Sequence, residues 1–228
     1  MDRPTGRIDR RKLKQPDEFI TWMGKAWKYV QVHWKRVASV AGGILLLIIL
    51  ISVYRMHWAR QETRAASMVA EAIEGFSNDP SQAAPFERIQ REFSGTHGAR
   101  LARLYLGHVL YRKGEADKAA EAYGALVDDS TTREPVRSQA ILGRGYALVA
   151  LKRCNDAESA FKKLPSSSAL GQQEAFLAIG RCYELTGDRA AAIKRYQEFA
   201  GKFPQSPFLT DALRSKIKSY KKSTASND

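Results

Sequence analysis

The sequence predicts an all-α protein in which a single N-terminal transmembrane helix precedes an α-solenoid of antiparallel helix hairpins. Three observations predict it. An uncharged apolar run occupies Val37 to Tyr54, basic residues crowd the segment before it, and one pattern of small and aromatic residues returns three times in the remainder. With 228 residues and 44% apolar content the chain has the composition of a folded domain with appendages.

The formal charge of +13 is unevenly placed. Arg3, Arg7, Arg10, Arg11, Lys12, Lys14, Lys25, Lys28, Lys35 and Arg36 precede the apolar run against Asp2, Asp9, Asp17 and Glu18, whereas just beyond it the bases are Arg55, Arg60 and Arg64. The run VASVAGGILLLIILISVY rises about 27 Å as a helix, close to a hydrocarbon core of about 30 Å. Trp34, Tyr54 and Trp58 stand where interfacial aromatics belong, and the basic excess puts the N-terminus in the cytoplasm. A cleaved signal peptide fits less well, because Ser52-Val53-Tyr54-Arg55 is a poor cleavage site. The expected organisation is a basic cytoplasmic segment over residues 1–36, a transmembrane helix over 37–54, and a repeat domain with a C-terminal capping helix over 59–228.

Within the basic segment, Met1 to Gln15 reads as unstructured. Asp17 reads as the N-cap of a helix carrying Phe19, Met23, Ala26, Trp27, Val30 and Trp34 on one stripe. Two readings stand for this helix: it lies on the inner leaflet, or it continues the span into the headgroups. Lipid and topology account for its charges, so no nucleic-acid partner is expected.

In the large domain Ala102, Ala140 and Ala175 are each followed five residues later by Gly107, Gly145 and Gly180. Further along each unit come Ala119, Ala157 and Ala192, then Tyr123, Phe161 and Tyr196, then Leu126, Leu164 and Phe199. Paired small residues at a helix crossing, Gly180 with Ala192 for example, explain the spacing, and the aromatic fills the space beside it. Gly114 and Gly187 mark turns that need positive φ; the middle unit departs, with Arg144 before its glycine and Lys152 at its turn. Ala59 to Phe76 (Ala66, Val69, Ile73, Phe76) and Gln82 to Phe93 form a degenerate first hairpin, with Pro80-Ser81 as stop and cap between them. A last helix presents Leu209, Leu213, Ile217 and Tyr220 inward, and Arg214, Lys218, Lys221 and Lys222 outward as a polar cap. Units starting 38 and 35 residues apart resemble tetratricopeptide repeats, whose period is about 34, most clearly in LYLGHVLYRKGEADKAAEAY and FLAIGRCYELTGDRAAAIKRYQEF.

No catalytic constellation is expected, and neither a cofactor nor a small-molecule substrate. The four histidines are dispersed, no HExxH or paired-cysteine spacing occurs, and a zinc site from His97, His108, Cys154 and Cys182 is poorly supported. Gly143-Arg144-Gly145 reads as helix packing. The expected functional surface is the groove lined by first helices: Leu104, His108, Tyr111 and Arg112, then Leu142, Tyr146 and Val149, then Leu177, Arg181 and Glu184. The competing reading is that several of these pack against adjacent helices. For Cys154 and Cys182 two readings also stand, a disulfide between adjacent units or two small buried hydrophobes.

The stretch YVQVHWKRVASVAGGILLLIILISVYRMHW followed by ASMVAEAIEGF resembles the bacterial YfgM-type family, a likeness covering most of residues 20 to 205. That resemblance implies a single-pass inner-membrane protein, cytoplasmic at its N-terminus, with a periplasmic repeat domain acting beside the Sec translocon and near periplasmic chaperones. It implies a scaffold or chaperone-like adaptor. The alternative is a cell-envelope scaffold coordinating division or outer-membrane assembly.

Overall fold

The computed structural model describes residues 18–224, with side chains described over 22–219 apart from Ala26. The expectations for Met1 to Gln15, for Asp17 as a cap, and for the side chains of Phe19, Ala26, Tyr220, Lys221 and Lys222 lie outside the described residues. Ten helices occur among the described residues: α1 (Glu18–Val32), α2 (Trp34–Asn78), α3 (Ala84–Glu92), α4 (His97–Arg112), α5 (Ala116–Asp128), α6 (Val136–Ala150), α7 (Cys154–Phe161), α8 (Ala169–Leu185), α9 (Arg189–Lys202) and α10 (Asp211–Thr224). The chain divides into two compact units, residues 1–58 and 59–228.

In the first unit His33 alone separates α1 from α2. The apolar run lies wholly within α2, the one helix among the described residues long and apolar enough to cross a membrane, and its apolar window is unburied. Leu45, Leu46, Leu47, Ile48 and Leu50 are all more than half exposed, as a lipid-facing helix requires.

The second unit is a stack of hairpins. The C-terminal part of α2 packs with α3, and Ala65, Val69, Phe86 and Ile89 bury together with Ala102 and Val109 of α4. The buried α2 face runs through Ala65, Val69, Ala72, Ile73 and Phe76; Ala66, expected on it, is exposed. Ser81 caps nothing. It donates from its N–H and its hydroxyl to Asp79 Oδ1 in a turn, and α3 begins at an uncapped Ala83. Two features anchor α4 on α2 that the repeat pattern did not reveal. A Cβ on Gly98 would meet the Cβ of Ala65 at 2.7 Å and its carbonyl carbon at 2.8 Å, so glycine alone permits this approach. Beside it the Glu62 carboxylate accepts the His97 N–H at 2.9 Å, placing negative charge at the helix N-terminus.

The three clear units are α4–α5, α6–α7 and α8–α9. Small and large apolar residues at three- and four-residue spacing bury one face of each, as Ala119, Tyr123, Leu126 and Val127 do on α5. The glycines of the small-residue pattern also make room for a ring. Each glycine lies against the aromatic ring of the second helix: a Cβ would fall 2.5 Å from the Tyr123 ring at Gly107, 2.2 Å from Phe161 at Gly145 and 2.4 Å from Tyr196 at Gly180. The nearest neighbours of Gly180 are thus atoms of Tyr196, while Ala192 is fully buried in the core below. Tyr123 is held from both sides, because a Cβ on Gly143 of the next unit would also meet its ring at 2.5 Å.

The middle unit keeps the geometry despite its departures. Arg144 lays its guanidinium over Gly124, whose Cβ would lie 3.3 Å from Cζ, and reaches Asp128 at 3.8 Å. Lys152 adopts φ 59°, matching the turn glycines Gly114 at 79° and Gly187 at 83°. A side chain in that region carries a steric cost of about 1 to 2 kcal/mol. Lys152→Gly is therefore expected to raise the stability of the soluble repeat domain by about 1 kcal/mol, read from its urea midpoint at unchanged m-value.

Cys154, at the start of α7, and Cys182, within α8, form a disulfide with a Cα separation of 5.6 Å. It joins the α6–α7 hairpin to the α8–α9 hairpin. Beyond it Leu209 buries against the α8–α9 hairpin, Leu213 and Ile217 of α10 pack there half-buried, and Arg214 and Lys218 face solvent.

Candidate binding surface

The first helices α4, α6 and α8 are each packed against the second helix of the preceding hairpin, and α6 and α8 also against the preceding first helix. Of the ten residues expected along their groove, the structure divides them by depth. Leu104 is fully buried and Leu177 is 7% exposed, so both are core residues, Leu104 in the cluster shared with α5 and α6 and Leu177 in the cluster shared with α9 and Leu209. Leu142 and Val149 are half-buried against the main core. What reaches the surface is polar and aromatic: His108, Tyr111, Arg112, Tyr146, Arg181 and Glu184.

These groups are organised by their neighbours. Tyr111 is 40% exposed, and the Arg112 guanidinium sits 5.3 Å from the centroid of the Phe76 ring. Phe76 in turn packs edge-on against Tyr105 at 5.4 Å, so a cation–π contact extends the first-hairpin core to the surface. On α6 the Tyr146 hydroxyl donates to Glu174 Oε2 at 3.4 Å. Burial, then the Glu174 carboxylate, pushes the Tyr146 hydroxyl pKa up to about 12, with Arg181 opposing and Tyr111 adding to the rise. Tyr111, Tyr146 and Arg181 therefore share one electrostatic neighbourhood along three successive first helices. Glu174, which helps fix it, carried no repeat signature.

His108 connects this surface to the core, since its Nδ1 is hydrogen-bonded to the Tyr123 hydroxyl at 2.7 Å. Burial, then the charge of Arg112, lowers the His108 pKa below its ordinary 6.5. The unfolded chain therefore binds this proton more readily than the folded one. Stability contributed by neutral His108 is complete well above pH 6.5, falls as pH drops through that value, and stops falling once His108 protonates in the folded state. The urea midpoint of the wild-type domain is expected to fall more between pH 7.5 and 5.5 than that of His108→Gln. Equal falls would show that His108 is not responsible.

The third-unit end of the surface is covered by the chain itself. Lys216 of α10 meets Glu184 Oε1 at 2.6 Å and places its ammonium 5.5 Å from the centroid of the Tyr196 ring. The Tyr196 hydroxyl donates to Glu184 Oε2 at 3.1 Å. Arg181 remains at the open edge of a cavity of about 390 Å³ that Leu213 and Lys216 also line. Among the described residues no three His, Cys, Asp or Glu side chains converge to hold a metal ion.

Stacked antiparallel hairpins, glycine-seated aromatics and a polar, aromatic first-helix face define a helical-repeat protein-binding domain. The sequence matches the tetratricopeptide repeat-like domain over residues 27–222, and the chain belongs to that family. No curated protein and no solved structure matches it.

Proposed function

We propose that the protein is a membrane-anchored scaffold or chaperone-like adaptor that binds proteins at the periplasmic side of the bacterial inner membrane, near the Sec translocon and its chaperones. The basic excess before the apolar run supports a cytoplasmic N-terminus, and the Cys154–Cys182 bridge supports an oxidising compartment for the repeat domain. The translocon setting rests on the resemblance to the YfgM-type family. The observation that carries the binding function is that Tyr111 on α4, Tyr146 on α6 and Arg181 on α8 reach the surface from three first helices packed in series. Tyrosines offer broad contact area with few torsions to freeze, their hydroxyls meet backbone carbonyls, and arginine pairs with carboxylates. Such a line suits an extended or unfolded segment better than a small ligand.

Site-specific photocrosslinking in intact cells tests this reading. Crosslinkers at Tyr111 and Arg181 should capture translocon subunits or secretory chains, while one at the exposed second-helix residue Lys194 should not. Capture of division or outer-membrane assembly factors alone would replace the adaptor with an envelope scaffold. Equal capture from Lys194 would dismiss the first-helix face.

A further inference from the structure

We infer that α1 is a membrane-interface helix that lies along the cytoplasmic headgroups of the bilayer crossed by α2, with anionic lipid as its partner. The inference rests on the membrane-anchored reading above and adds a lipid-binding surface to it. Trp22 is 69% exposed, Trp27 64% and Tyr29 61%, and Met23 is also exposed, so the helix presents large apolar side chains that nothing in its unit covers. At 100° per residue, Trp22, Met23, Trp27 and Tyr29 fall within one arc, and Lys25 and Lys28 fall opposite or beside it.

That division is the chemistry of a bilayer interface. Indole and phenol rings seat at the level of the lipid carbonyls, while lysines on the flanks reach phosphates of anionic lipids. Continuity decides the occupant: a single residue, His33, separates α1 from the helix that holds the apolar run. Any surface docking α1 must therefore be available immediately beside the membrane. Were α1 instead to continue the axis of α2 outward, Trp22 would stand about 18 Å beyond Trp34, past the headgroups and in water. Its aromatic face would then remain wet.

The chain offers a direct probe, because its four tryptophans are Trp22, Trp27, Trp34 and Trp58 and the repeat domain contains none. Trp34→Phe with Trp58→Phe leaves the two α1 indoles as sole reporters without touching the repeat core. The full-length variant is reconstituted into vesicles of phosphatidylcholine and phosphatidylglycerol, and resistance to carbonate extraction establishes insertion. Lipids brominated high on their acyl chains should then quench the indole emission about twofold or more, and Lys25→Glu with Lys28→Glu should relieve most of that quenching. Inserted protein with unquenched indoles that remain open to aqueous acrylamide would overturn the inference while leaving the span intact. Extraction by carbonate would instead overturn the span, and the interface helix with it.

Discussion

Tyr123→Ala is expected to cost the repeat domain about 3 to 5 kcal/mol, enough to unfold much of it near 37 °C. Tyr123 is 1% exposed, and its ring fills the space between Gly107 of its own unit and Gly143 of the next. Removing it leaves a cavity at the joint between two hairpins, and a solenoid is only as cooperative as its joints. Tyr123→Phe keeps the ring and gives up the bond to His108, so its cost should be smaller, about 0.5 to 1.5 kcal/mol. The glycines supply an independent check. Gly143→Ala should overpack the intact ring by about 1 to 3 kcal/mol, yet cost far less when Tyr123 is already alanine. A double-mutant cycle should therefore show a coupling energy of at least about 1 kcal/mol between positions 123 and 143. Additive effects would mean that the ring does not sit on that glycine.

The second large effect concerns the bridge between units. Cys154 and Cys182 are separated by 28 residues, and closing such a loop lowers the entropy of the unfolded chain. On the chain-entropy account this amounts to about 3.6 kcal/mol. Cys154→Ala with Cys182→Ala is expected to lose about 2 to 4 kcal/mol of that domain's stability. Reductant should lower the wild-type urea midpoint to near that of the double variant and leave the variant unchanged. In denatured, unreduced protein from cells, a thiol reagent should label no cysteine until reductant is added. Two reactive thiols per chain would remove the bridge and its support for an oxidising compartment.

The hairpin pattern was legible because glycines and aromatics recur at fixed spacing, but spacing gives no partner. Gly107 and Ala119 are small residues on facing helices, which spacing reads as a crossing; that the ring of Tyr123 lies nearest to where a Gly107 side chain would stand is not given by spacing. The groove was legible in part for a related reason. Helical periodicity identifies a face without saying how much of it the next helix covers. Leu104 and Leu177 fall on the same helical side as Tyr111 and Arg181, yet neighbouring elements bury them, α5 and α6 for Leu104 and α9 with Leu209 for Leu177. Contacts between distant residues were the least visible. Glu62 accepting the His97 N–H and Gly98 seated on Ala65 join residues more than 30 positions apart, with no repeat to announce them. Lys152 shows the converse: a residue that breaks the turn signature still takes the turn's backbone conformation, because the flanking helices require it.

A single span that holds the repeat domain outside the cytoplasm is the central claim, and side-specific reporters test it most directly. An enzyme reporter active only outside the cytoplasm, fused after Asp228 of the full-length protein, is expected to be active, while the same reporter fused before Met1 is expected to be inactive in stably expressed chains. An inactive fusion at Asp228 together with an active one at Met1 would reverse the orientation and place the first-helix surface in the cytoplasm.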